Sequence, residues 1–225
     1  METRIDKLKR DWDDRQNQMG LTKRAVLFKR FPSVINESIH RRHTAFVLQN
    51  ISTDVKSLLD VGCGYGRISA EIQRQYPSIA FHGVDLCTEF AHAYEKEFGP
   101  CFNGPIQSFS TDKRFDVVIS VTCLMYLDLA EHRPTLERLW SILNVGGCLV
   151  CIEPAIEILQ LWRKLTRRTN ASPTGGSVHH FHQNELRELC CGLRAAVLQS
   201  TISVNLVPFL SSTALHHGVS VRKIG

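Results

Sequence analysis

Gly62, Gly64 and Gly66 occupy alternate positions between an apolar run that ends at Val61 and a helical pattern that starts at about residue 66. Lacking Cβ atoms, they let the backbone turn sharply and pass within contact distance of a ligand, so residues 57–76 read as strand, glycine loop and helix, stopped by Pro77. A strand that leads straight into a helix belongs in a parallel sheet, where the next strand follows a crossover. The chain repeats that unit: strand-like runs over 80–85, 115–121 and 148–153 alternate with helical patterns over 88–98 and 128–143. Gly99 with Pro100 closes the first of these helices and Gly146 with Gly147 the second, while Pro134 leaves the start of the second open.

The C-terminal part has a loop over 172–177, a helix over 184–191 and β-rich runs over 196–204 and 213–221, which predict an antiparallel hairpin on the sheet edge. Before residue 57 the pattern is helical, broken at Gly20 and Pro32. The expected fold is α/β and Rossmann-like: a mostly parallel sheet with helices on both faces, an antiparallel C-terminal hairpin and an N-terminal helical cap. The cap takes residues 1–50 and the ligand-binding domain residues 51–225, built as one unit from a chain of 225 residues that is 43% hydrophobic.

The formal net charge of +5 arises within residues 1–50, where eleven Lys and Arg stand against six Asp and Glu. A solvated helical face accounts for that excess, with docking to an acidic partner as the alternative. No basic patch is interleaved with aromatics, so nucleic acid is not an expected partner. No apolar run reaches the roughly 18–20 residues of a membrane span, and residues 1–12 lack the apolar centre of a secretory signal, so a cytoplasmic location is expected. The segment 156–168 sets Ile158, Leu161, Trp162 and Leu165 against Arg163, Lys164, Arg167 and Arg168. It reads as a lid over the ligand site, with peripheral lipid contact as its alternative.

Eight cysteines raise the question of metal or disulfides. Cys148 and Cys151 have the spacing of a zinc knuckle but fall in one strand, where an odd separation points them to opposite faces. Buried free thiols are the expected state, and no metal site is expected.

The glycine spacing does not suit a dinucleotide, because the third glycine of that fingerprint would fall at position 67, which is Arg67. Asp85 ends the second strand 25 residues after Asp60, where a carboxylate accepts hydrogen bonds from the hydroxyls of a bound ribose; capping the next helix is the competing role.

The pattern of Asp60, Gly62, Gly64 and Gly66 resembles the first motif of class I methyltransferases, and the resemblance runs from about Leu58 to Glu153. It implies S-adenosyl-L-methionine as cofactor, with the glycine loop around the methionine part, Asp60 at the family's acidic position, Asp85 on the ribose with Leu86 beside it, and Ser120 at the end of the third strong strand. Related enzymes place an Asp near the adenine; the stretch here has none, leaving Gln107 to offer its amide oxygen and Ile106 to pack on the ring. The run from Ser120 to Leu127 lacks the Asn/Asp-Pro-Pro-aromatic motif of base and glutamine methylation, the Pro-Cys of cytosine-5 chemistry, the Asp of catechol-type metal sites and the paired glutamates of arginine enzymes. It is similar instead to small-molecule O- and N-methyltransferases of the ubiquinone-pathway and natural-product type. Residues 36–44 and 106–111 look like segments of the nodulation-type N-methyltransferases, which implies a role for Arg42 and His43 in closing the cap on the cofactor.

Methyl transfer requires an aligned nucleophile and, for a hydroxyl or ammonium acceptor, a base. His179 and His180 are the expected base candidates and Tyr126 a further polar group; exposed loop histidines or a helix entry are the other reading of that pair. The expected activity is metal-independent methylation of an O or N atom of a small molecule. Methylation of a protein or RNA, and a non-catalytic cofactor-binding partner, are the alternatives.

Overall fold

The computed structural model describes residues 2–29, 31–166, 178–207 and 210–225. The loop expected over 172–177 and the end of the segment 156–168 lie outside them. Among the described residues seven strands form one sheet: β1 (Ser57–Val61), β2 (Ala80–Asp85), β3 (Cys101–Asn103), β4 (Phe115–Val121), β5 (Leu143–Pro154), β6 (Ala196–Asn205) and β7 (Ala214–Lys223), in the spatial order β3-β2-β1-β4-β5-β7-β6. The first five run parallel, and β7 inserts antiparallel between β5 and β6. The reversal of strand order at β1 and β4 opens a crevice at their C-terminal ends, where an α/β sheet receives its ligand. The parallel fold and the hairpin match expectation. The sequence reading missed β3, three residues long, set beside Gly83 and with two of its residues exposed.

Both faces of the sheet are buried. Leu59, Val118, Leu149 and Cys151 face α6 (Leu129–Ser141) and α8 (Gln183–Cys191) through Leu136, Leu139, Trp140, Leu186 and Cys190. Leu58, Val117, Ile119, Cys148 and Val150 face the other way, against Ile72 of α4 (Ser69–Gln75) and Tyr94 of α5 (Thr88–Glu97), with Phe46 and Val47 of α3 (Ser33–Leu48). Cys148 and Cys151 therefore sit in different cores, and all eight cysteines are free.

The N-terminal segment forms α1 (Arg4–Met19), α2 (Lys23–Val26) and α3. A reciprocal cap between Thr3 and Asp6 starts α1, and Gly20 ends it at φ +63°. No side chain of α1 is fully buried. Its apolar stripe Ile5, Leu8 and Trp12 faces a cleft. The seam between cap and hairpin is a small core of Leu27, Phe28, Ile39, Val204 and Leu215, into which Ile158 of α7 (Ile156–Thr166) also packs. No helix among the described residues is long and apolar enough to cross a membrane.

Candidate active site

A cleft of about 970 Å³, measured out to its open mouth, lies over the C-terminal ends of β1, β2 and β4 and under α1. Asp60, Gly62, Gly64, Asp85, Leu86, Ile106, Gln107 and Tyr126 all line it. The backbone makes this convergence possible. Gly62 (φ +70°) and Gly64 (φ +55°) adopt the left-handed region, and a Cβ on Gly62 would lie 2.7 Å from Cys123 Cβ. The amides of Gly62 and Cys63 donate to the carbonyl of Val84 at 2.8 and 3.1 Å, which fastens the loop to β2. Gly66 has a different job: it does not line the cleft, and a Cβ there would lie 2.1 Å from the Phe98 ring, so its absent side chain makes room for packing.

Asp85 clamps two turns together. Its Oδ2 accepts from Gly64 N at 2.7 Å and its Oδ1 from Cys87 N at 2.8 Å, leaving each oxygen a lone pair for a ligand. Asp85 is not the cap of the next helix, which starts from Cys87, although it holds the Cys87 amide, and burial pushes its carboxyl up to about 6. Asp60 accepts from Ser69 Oγ at 2.8 Å, itself in contact with Tyr94 Oη, and burial pushes this acid up to about 7. On the opposite wall the Gln107 amide donates to Glu131 at 3.2 Å, leaving its oxygen free, beside the buried Ile106.

The loop after β4 is shaped by a residue the sequence reading did not single out. Glu153, fully buried at the end of β5, accepts from the amides of Cys123 (3.2 Å), Leu124 (2.9 Å) and Met125 (3.1 Å). Burial pushes its carboxyl up to about 8 against the pull of those three amides. Just before them Thr122 holds φ +59°, a costly conformation for a β-branched residue, secured by its amide bond to the Ile152 carbonyl at 2.7 Å.

Arg67, noticed in the sequence only as a missing glycine, also lines the cleft and is buried. Its partners are two rings of α3, His40 Nδ1 at 3.3 Å and His43 Nδ1 at 3.2 Å, and no carboxylate lies within salt-bridge distance among the described residues. Burial pulls the guanidinium down to about 10 and His40 to about 4. His43 thus reaches the cleft through Arg67, and it packs edge-on against His216 at 4.5 Å. Arg42 does not line the cleft; it donates to the Asn205 carbonyl at 3.2 Å. Ser120 is fully buried between β1 and β5, off the cleft surface, with no partner for its hydroxyl among the described residues.

The two loop histidines stand away from the cleft lining. His179 pairs with Glu185 at 2.7 Å and lies edge-on to Phe181, and His180 is buried with its Nδ1 on the Val178 carbonyl at 3.3 Å. Beyond Tyr126 the cleft continues into a smaller recess that reaches His216 on β7 and Arg15 on α1. No local pattern marks His216, since strand β7 is buried along most of its length and a histidine there reads as core. The α1 stripe had a signal, Ile5, Leu8 and Trp12 at helical spacing, but nothing in the sequence says what it faces.

Residues 58–147 match a methyltransferase-domain family. Malonyl-[acyl-carrier protein] O-methyltransferase of Paenibacillus sp. (strain JDR-2) is 26% identical over 103 residues, which cover 41% of this chain and 37% of that relative. The plantazolicin methyltransferase BpumL, solved with S-adenosylhomocysteine (SAH), superposes with a TM-score of 0.65 at 15% identity and covers 97% of both chains. The N-methyltransferase NodS of Bradyrhizobium japonicum WM9, also solved with S-adenosyl-L-homocysteine, gives 0.62 at 15% identity over 84% of this chain and 87% of that one.

Proposed function

We propose that this chain, a class I methyltransferase fold whose residues 58–147 match a methyltransferase domain, transfers a methyl group from S-adenosyl-L-methionine to an oxygen or nitrogen of a small-molecule acceptor. The observation that carries this reading is the convergence of groups in one cleft: Asp60 with the glycine loop, Asp85 with Leu86, and Ile106 with Gln107. Those three sets suit an amino acid, a ribose and an adenine respectively. The glycine cradle fits the cofactor by the same test, since a Cβ on Gly62 would drive into Cys123 and close the approach.

Asp60 and the loop amides hold the amino-acid part, and Arg67 offers its unneutralised guanidinium to the carboxylate there. Asp85 accepts from the ribose hydroxyls while keeping Gly64 and Cys87 in place. When bound, the cofactor supplies a methyl group already activated by the sulfonium. The protein's own work is alignment, exclusion of water by the α1 stripe, and proton handling beside Tyr126, whose hydroxyl burial keeps protonated. We assign the acceptor side to Tyr126 and His216, ahead of His179 and His180, because Tyr126 lines both the cleft and the adjoining recess and His216 lines that recess. Transfer to a carbon that carries its own leaving group asks for no metal.

Calorimetric titration tests this reading. The chain should bind S-adenosyl-L-methionine and its demethylated product at micromolar concentration and leave NAD unbound, as position 67 is Arg67. Binding of NAD with none of the methionine cofactor would overturn it.

A further inference from the structure

The recess that prolongs the cleft shares Val26, Thr122 and Tyr126 with it, so it opens where an acceptor would meet the reactive end of the cofactor. Its floor and walls are mostly apolar, from Leu27, Phe28, Met125 and Pro154, and among the described residues no acidic side chain lines it. Two nitrogenous groups do. Arg15 is mostly buried, and its hydrogen bonds among the described residues go only to main-chain carbonyls, those of Arg24 at 3.0 Å and Leu27. Among the described residues its Nε is buried without a partner, as is Nδ1 of His216 across the recess.

Other arginines of this region are treated differently by the fold. Arg4, at the outer end of the same helix, reaches Glu131 at 2.5 Å and Asp128 at 3.2 Å in solvent. Arg10 reaches Glu2 at 2.5 Å. Arg15 is the more desolvated charge and has no carboxylate within salt-bridge distance among the described residues. The guanidinium also lies over the Trp12 ring, 5.1 Å from its centroid, so its partners among the described residues are neutral carbonyls and an aromatic face; its planar fork lacks an anion, which a carboxylate matches in shape and charge. Apolar walls around one cation and one neutral ring select a small organic anion over a polyphosphate or a sugar.

The geometry points to an acceptor that bears a carboxylate, seated in this recess with its anionic group on Arg15 and its carbon skeleton against Phe28 and Met125. The inference rests on the methyl-transfer reading above and adds the chemical class of the acceptor to it. Arg15 here is a specificity determinant that touches the substrate, with no part in holding the cofactor's polar groups.

The test uses the full chain saturated with SAH, titrated with benzoate, phenylacetate and hexanoate and with their matched primary amides. At least one carboxylate should bind about tenfold or more tightly than its amide, the worth of one charge-assisted hydrogen bond. Arg15→Gln should bring that preference to within about twofold of unity, and Arg15→Lys should keep part of it, since charge remains while the fork is lost. Using a ratio of two ligands on one variant removes any general effect on the helix, and SAH affinity reports separately that the cleft is intact. The inference is overturned if no carboxylate outcompetes its amide, if the preference survives Arg15→Gln, or if phenyl phosphate binds more tightly than every carboxylate. Failure of SAH to bind at all sinks the methyl-transfer reading first, and this one with it.

Discussion

Two sets of buried polar groups flank the cleft, and they are stabilised in opposite ways. On the sheet side, Asp60, Asp85 and Glu153 sit at or next to strand ends, where Asp85 and Glu153 are met by backbone amides and Asp60 by the Ser69 hydroxyl. On the cap side, His40, His43 and His216 gather around Arg67, with Glu71 reaching His40 from outside at 3.6 Å. Burial raises the acids, to about 7, 6 and 8, and lowers the histidines, His216 to about 3 and His40 to about 4. The sheet side is therefore a scaffold held mostly by main-chain amides, and the cap side a seam in which neutral histidines pack around one cation.

The hardest blow to the scaffold is Glu153→Ala. It orphans three amides that each cost about 1–3 kcal/mol when buried unpaired, so chemical denaturation should show a loss of about 3 kcal/mol or more. Glu153→Gln keeps one acceptor oxygen and should lose less. A loss below about 1 kcal/mol in the Ala variant would mean that the loop holds its own shape.

The seam is probed by acid. Histidines lowered from 6.5 bind fewer protons folded than unfolded, so their contribution is whole above about pH 6.5 and is lost as pH falls toward 3 to 4. The acids work the other way, being whole below about pH 4 and losing their contribution as pH rises through about 6 to 8. Comparing wild type with His216→Phe cancels the acids. Phenylalanine keeps the edge contact with His43 and gives up a ring whose Nδ1 has no partner. Between pH 7 and pH 4 the variant should lose less stability than wild type by on the order of 2 kcal/mol. Parallel pH curves for the two proteins would remove His216 from the seam.

A smaller effect separates the two duties of Asp85. Asp85→Ala should weaken cofactor binding at least about tenfold, or about 1.4 kcal/mol, and should also lower the melting temperature of the free protein, because Gly64 and Cys87 lose their acceptor. Melting that falls while affinity stays at the wild-type value would leave Asp85 a structural clamp alone. The smallest effect expected is none: turnover should survive EDTA, and loss restored only by added Mg²⁺ or Zn²⁺ would reverse that expectation.

The same contrast explains what could be read from sequence. The glycine loop, Asp60 and Asp85 were legible because each stands at a fixed offset from a strand end, and periodicity locates strand ends. Gly66 looked identical to its neighbours in the sequence yet serves Phe98, since the pattern cannot say which side of the loop each glycine faces. Strand β3 was too short to show a period. The recess was illegible for a stronger reason. Arg15, Phe28, Tyr126 and His216 come from four segments up to 201 positions apart, and only the packing of α1 and β7 brings them together. His179 and His180 had the right chemistry and a plausible position, but the chain turns one toward Glu185 and buries the other.

Glu153 grips the loop after β4 through the amides of residues 123–125 and through none of their side chains. The path of that loop is thus set from β5 by main-chain contacts, while Met125, which lines the recess, is itself buried in the core with Leu124 and Leu127. Such a division of labour lets selection, natural or in the laboratory, exchange the residue at 125 for other apolar ones and redraw the acceptor's outline without re-solving the backbone. Libraries that vary this position among apolar residues while leaving Glu153 untouched should keep a high fraction of folded members, and those that also randomise Glu153 should not.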